Sequence, residues 1–219
     1  FEKNIWPYLA AYLLQNKDAV DFQGLCTHYA GAESIANHLR VKAQIKNFRK
    51  GRSLFKHAGL EPELAHSACS AAFLRFPKTQ FDLIRVGILQ YGFWPNMETF
   101  ISTEGLNGDG SDPLQRAISW KSQVMNVKKL KVATVPVGYS HGFSRNLSNS
   151  GRALVRGVRV AVIGVVNMNV MILDVSNLDN VEIGDEVVLI GKQGDQEISV
   201  SSFSEYSDQM NYELLTRLP

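Results

Sequence analysis

The sequence predicts an α/β first half, the C-terminal half of a (β/α)8 TIM-like barrel, followed by a mostly β C-terminal domain. Three observations carry that prediction. Strand-length apolar runs alternate with a long helical pattern as far as Tyr91. A stretch rich in Gly, Asn, Asp and Ser follows from Asn96 to Pro113. Beyond it the apolar runs are β-branched and separated by Gly and Asn. With 219 residues, 45% hydrophobic and 20% charged, the chain has the composition of a globular protein, which excludes disordered and collagen-like classes.

The elements follow in order. Ile5, Leu9, Tyr12 and Leu13 recur near a helical period and predict a helix over 4–15, and DFQGLCTHYA, 21–30, reads as a strand ending in polar residues. Ile35, Leu39, Ile45, Phe48 and Phe55 predict a long helix over 33–57 that stops at Gly59, with Pro62 beyond. A short strand (64–68), a short helix (70–75) and another strand (83–89) come next. The crossovers are too long for hairpins, so the strands are parallel. So few parallel strands would leave open edges, which implies that they belong to a larger closed barrel. The chain opens on Phe1 and runs directly into IWPYLAAYLL, which reads as the middle of an element and predicts an upstream part.

The second half carries β-branched runs at 117–127, 132–137, 153–166, 170–175 and 186–190, and a short terminal helix or turn is expected over 206–218. The two domains are therefore assigned to residues 1–114 and 115–219. Between Leu130 and Lys131 two strands run together with no turn residue, an awkward join for a hairpin.

Charge and cysteine usage narrow the function classes. A formal charge of +2, from 23 basic and 21 acidic residues spread along the chain, gives no electrostatic footprint for a nucleic acid or an acidic membrane. The densest basic stretch, Lys46 to Lys56, has helical spacing and reads as a solvated face. Cys26 and Cys69 lack CxxC spacing, so no disulfide framework or zinc site is expected, and a reducing cytoplasm fits best. The apolar run 158–166 is broken by Arg159 and Gly164 and falls far short of the roughly 20 residues that span a bilayer.

Several residues could carry chemistry. His28 and His66 stand toward the carboxyl ends of predicted parallel strands, where side chains reach a barrel mouth; a satisfied structural role is the alternative. Arg85 lies in an otherwise apolar strand, where a guanidinium needs partners; the reading is either an ion pair with Asp82 or a site beside the Gly87 and Ile88 amides. Ser70 opens a short helix after a strand, either as an anion cradle or as a plain N-cap. In VPVGYSHGFSRNLSN, 135–149, Gly138 and Gly142 free the backbone to present Tyr139 and Arg145 at a surface.

Seven stretches, GLCTHYA, ELAHSACSAAFLRFP, DLIRVGILQYG, VPVGYSHGFSRNLSN, IGVVNMNVMILDVS, GDEVVLIGKQGD and MNYELLTRLP, together resemble the alanine racemase family in family order. The resemblance implies interconversion of L-alanine and D-alanine through a pyridoxal 5'-phosphate aldimine. It also implies a cytoplasmic homodimer with shared active sites, supplying D-alanine for peptidoglycan. By this resemblance Arg85 faces the cofactor's pyridine nitrogen, with His28 and His66 as a supporting network. Ser70, Gly87, Ile88 and Tyr212 hold the phosphate. Tyr139 narrows the substrate entrance, Arg145 supports its loop, and Met168 contacts substrate.

The sequence departs from the family at Asn167-Met168-Asn169, where Cys-Met-Asp is common, and at Tyr139-Ser140-His141-Gly142, where Tyr-Ala-Asp-Gly is usual. No stretch matches the family's lysine-bearing Val-Val-Lys-Ala-Asp-Ala-Tyr-Gly, and the tyrosine-bearing hairpin expected near Leu130 is absent. No catalytic base is therefore assigned in this chain. The open alternatives are a broad-specificity amino-acid racemase, a basic amino-acid decarboxylase of the same fold, and an inactive truncated homologue acting as an interaction module.

Overall fold

The computed structural model describes residues 2–103, 111–206 and 211–218. By chain contacts they form two compact units, one of residues 1–90 and 94–113 and one of residues 91–93 and 114–219.

The first unit is built on three parallel strands. Helix α1 (Trp6–Gln15) accommodates Pro7 in its first turn, where a missing N–H costs nothing, and buries Ala10 and Leu13 against Phe55. Strand β1 (Gly24–Cys26) leads to the long helix α2 (His38–His57), then β2 (Leu64–Cys69), α3 (Ser70–Arg75), β3 (Leu83–Arg85) and α4 (Met97–Thr103). The sheet order is β1-β2-β3, parallel at both pairings. Helix α2 stops where Gly59, at φ +82°, turns the chain and Leu60 N donates to Phe55 O at 2.9 Å. The core joins Val41 of α2 to Ala68 of β2, Ala71 and Ala72 of α3, and Tyr29 and Phe76.

Two expected strands are shorter in the structure. The strand expected over 21–30 pairs only at Gly24–Cys26, with Leu64, Ala65 and His66 as partners, because the chain beyond Cys26 leaves the ladder. The strand expected over 83–89 ends at Arg85, because Gly87 N turns to the Ser70 hydroxyl and a 3-10 turn begins at Ile88. The connection expected over 96–113 contains α4, whose N-terminus is capped by Asn96 Oδ1 accepting from Thr99 N at 2.9 Å. Residues 104–110 of that stretch lie outside the described residues.

The second unit is an antiparallel sheet of eight strands: β4 (Trp120–Gln123), β5 (Asn126–Lys128), β6 (Val132–Val135), β7 (Arg152–Val155), β8 (Val158–Ile163), β9 (Met171–Asp174), β10 (Glu186–Gln193) and β11 (Gln196–Ile198). The order is β11-β10-β7-β8-β9-β6-β5, and β4 pairs with β10 on the edge opposite β7. Five consecutive residues of β10, Val187 to Gly191, are buried. A continuous apolar run is what a strand covered on both faces requires. Short helices α5 (Ser201–Tyr206) and α6 (Asn211–Leu215) follow, and residues 207–210 of the expected terminal helix lie outside the described residues.

The Leu130–Lys131 join is not awkward, and here the sequence expectation is corrected. Strands β5 and β6 pair from Asn126↔Thr134 to Lys128↔Val132, so three residues close the hairpin. Lys131 supplies the left-handed residue at φ +55°, and its N–H donates to Lys128 O at 2.9 Å. A three-residue loop with its last residue left-handed matches the strand twist whether or not that residue is glycine.

Candidate active site

In the first unit, the chemistry-bearing residues gather around the carboxyl ends of the parallel strands. Ser70 follows β2 directly and is 1% exposed. Its Oγ accepts from Gly87 N at 3.0 Å, and among the described residues its own proton has no acceptor. Ile88, next to Gly87, is buried. A hydroxyl held by an amide, with its proton still to give, is the donor set an anion needs.

Arg85 ends β3 opposite Cys69 of β2. Its guanidinium donates to Thr27 O, just beyond β1, and to Ser67 O of β2 at 3.4 Å. One arginine therefore ties the ends of all three strands. It does not pair with Asp82, whose carboxylate instead accepts from Ala65 N at 2.7 Å. The buried Arg85 Nε and His66 Nδ1 have no partner among the described residues. His28 is exposed, and no hydrogen bond links it or His66 to Arg85. Burial pushes the Tyr29 phenol above its ordinary range, with nearby Ser67 offsetting part of the effect.

In the second unit, the tyrosine turn is fastened to the Asn167–Asn169 segment. Tyr139 N donates to Asn167 O and Ser140 N to Met168 O, both at 3.0 Å. The Ser140 hydroxyl lies 2.7 Å from Met168 O and 2.9 Å from Asn169 Oδ1. The approach is so close that a Cβ on Gly138 would fall 2.1 Å from Asn167 O. Tyr139 and Met168 are thereby brought together, each about half exposed at 46% and 53%. His141 Nδ1 accepts from Gly138 N at 3.2 Å, so its proton sits on Nε2 in this arrangement.

The neighbouring loop is held by residues that the sequence reading passed over. Arg145 is exposed, and its side chain makes no hydrogen bond or ion pair among the described residues. Ser144 Oγ accepts from Asn146 N at 3.3 Å, Ser148 Oγ from Val166 N at 3.0 Å, and Asn149 Oδ1 from Gly164 N at 2.6 Å. Of these three bonds only that of Ser144 caps its own local backbone, a signal its residue type carries; Ser148 and Asn149 reach amides in a segment distant in sequence, which residue type alone does not announce. Tyr212 stands on α6 and is 37% exposed.

An anion-ready hydroxyl at the ends of parallel strands, in a chain that continues into a mostly β domain with a fastened tyrosine turn, defines an α/β protein of the barrel-plus-β-domain class. Residues 1–95 match the family described as alanine racemase, N-terminal domain, and residues 113–219 the one described as alanine racemase, C-terminal domain. The chain belongs to the alanine racemase family. It is 33% identical over 213 residues to the alanine racemase of Leptospira interrogans, covering 89% of this chain and 54% of that protein. It is 32% identical to that of Halothermothrix orenii, covering 90% and 54%. The chain thus spans about half the length of these relatives.

Among solved structures it is similar to alanine racemase from Bacillus anthracis with bound L-Ala-P, with TM-score 0.83, 30% identity, and 98% and 58% of the two chains covered. It is also similar to alanine racemase from D-cycloserine-producing Streptomyces lavendulae, with TM-score 0.86, 27% identity, and 100% and 60% covered.

Proposed function

We propose that this chain carries the phosphate-holding and entrance-lining parts of an alanine racemase acting on L-alanine and D-alanine with pyridoxal 5'-phosphate. The observation that carries the reading is Ser70, a buried hydroxyl fixed by Gly87 N with its own proton free, two residues of chain away from the guanidinium of Arg85 through that amide. The donor set fits a phosphate, and Arg85 Nε, buried and without a partner among the described residues, is a further polar atom left to satisfy in this unit. Ser70 and Ile88 would hold the phosphate, with Gly87, whose amide donates to Ser70 Oγ here, and Tyr212 added on the resemblance alone.

Bound pyridoxal phosphate supplies an electron sink that makes the α-proton of an amino acid labile. Arg85, permanently charged and tied to two carbonyls, keeps a fixed positive group where the resemblance puts the pyridine nitrogen, which disfavours protonation of that nitrogen. Tyr139 and Met168, held by the Ser140 contacts, border the substrate. A cytoplasmic homodimer with shared sites, supplying D-alanine for peptidoglycan, belongs to the same proposal. No described helix is long and apolar enough to cross a membrane.

A second reading has its own support. Racemisation needs a base on each face of the substrate, and the hairpin that bears the family's tyrosine is replaced by the closed 129–131 turn. That turn favours an inactive homologue serving as an interaction module.

Two measurements separate these readings. Phosphorus NMR of pyridoxal 5'-phosphate titrated into the chain should show saturable binding that Ser70→Ala weakens about tenfold, the loss of one charge-assisted bond. Equal binding by wild type and variant would remove the phosphate assignment. Production of D-alanine from L-alanine by the full-length protein tests the racemase; cofactor binding without racemisation would select the inactive homologue.

A further inference from the structure

Helix α2 reads HLRVKAQIKNFRKGRSLFKH, with seven lysines and arginines and no acidic residue in 20 positions. Lys42, Lys46 and Lys50 stand in one row, separated by four residues and therefore about 6 Å apart along the axis. Like charges at that spacing repel. Among the described residues none of these three lysines forms an ion pair, and the helix's one ion pair is Lys56 with Glu61 at 3.3 Å.

The row borders a groove of about 800 Å³ between α2 and the segment from Arg75 to Thr79. The far side adds Arg75 and Lys78. Two guanidiniums are anchored on carbonyls, Arg49 to Lys78 O at 3.0 Å and Arg75 to Ala32 O at 2.7 Å, so they are positioned without being neutralised. Between the charged walls the lining is apolar, with Ile45, Phe76 and Pro77.

We propose that this groove binds an acidic polypeptide segment that carries apolar side chains on the same face. Carboxylates four residues apart on a helix repeat at the spacing of the lysine row, and apolar residues between them would meet Ile45 and Pro77. Charge complementarity of this kind steers encounter and fixes register. A single-stranded nucleic acid fits less well. Its bases need aromatic faces for stacking, whereas Phe76 is 9% exposed and the His38 ring packs on it at 5.5 Å. The basic stretch that reads as a solvated face in the sequence is thus one wall of a recognition groove.

The test is fluorescence anisotropy on the 219-residue chain. The probe is a labelled peptide about four helical turns long, with Glu repeated every four residues and Leu between. Saturable binding should weaken about tenfold in Lys46→Glu/Lys50→Glu, both lysines being exposed. It should weaken with added salt, and also when Leu is replaced by Ser in the probe. Lys42→Gln/Lys46→Gln, which removes charge without reversing it, gives a milder loss and a second readout. Binding untouched by either variant overturns the proposal. A single-stranded oligonucleotide of similar length that binds as tightly overturns it in favour of nucleic acid. Self-association abolished by the same variants, with no peptide binding, overturns it in favour of a second copy of the chain.

Discussion

Gly138→Ala tests how the tyrosine turn is fastened. Gly138 is extended, at φ −147°, so the substitution strains no backbone angle and acts through space alone. The new Cβ would fall 2.1 Å from Asn167 O and 2.4 Å from Met168 O, both backbone atoms that cannot rotate away. Reaching ordinary contact at 3.4 Å requires a separation of about 1.3 Å. That movement stretches the two 3.0 Å backbone bonds beyond hydrogen-bond range and draws Ser140 Oγ off Met168 O. Three bonds at about 1 kcal/mol each give a loss of about 3 kcal/mol. In a protein of this size that lowers Tm by about 6–12 °C. Urea unfolding followed through Trp120, buried and stacked near Phe143 in the same unit, measures it. Gly164→Ala is the comparator: nothing lies within 4 Å of its Cβ, and only its φ of +72° resists a side chain. A Gly138→Ala loss below about 0.5 kcal/mol, the scatter of ordinary surface substitutions, would refute the close approach.

Arg85→Gln should cost about 2 kcal/mol, because it removes charge-assisted bonds to Thr27 O and Ser67 O that tie three strands; chemical denaturation measures it, and a neutral result would mean that the tie is not formed. Lys131→Gly should stabilise by about 0.5–1 kcal/mol by relieving a left-handed non-glycine residue, whereas Lys131→Val should destabilise; a melting curve that moves the other way for either would remove the 129–131 turn. Asp185 is held below the usual carboxylate range, chiefly by its hydrogen bond from Arg156, then by Glu182 N. Its contribution is therefore present above its unfolded pKa of about 4 and is lost as pH falls through the lower folded value. Asp185→Asn should lower stability modestly at neutral pH and flatten the acid limb, so that the two stability curves converge at low pH; an identical acid limb would contradict the pairing.

What the sequence made legible was set by how locally each element is determined. The β strands of the second unit alternate or run apolar between turn residues, and that information is contained in a few neighbouring residues. Strands β1 and β3 are shorter than the sequence implies, because strand length depends on a partner far away in sequence: β1 lasts only while Leu64 to His66 lie beside it. Helix α4 was hidden by composition, although Asn96 carried an N-cap signal. The roles of Thr27 and Ser67 in holding Arg85 were unreadable in principle, since they act through backbone carbonyls that every residue has.

The two departures from the family pattern become intelligible only when they are placed side by side. Ser140 and His141 replace the usual Ala-Asp, and Asn169 replaces the last Asp of Cys-Met-Asp. In the fold Ser140 Oγ lies 2.9 Å from Asn169 Oδ1, so an exchange in one segment faces an exchange in the other. A hydroxyl opposite a neutral amide forms this exposed bond with no charge on either partner. His141 likewise keeps an acceptor where the family has a carboxylate, since its Nδ1 receives Gly138 N at 3.2 Å. The turn therefore retains its geometry while shedding two negative charges.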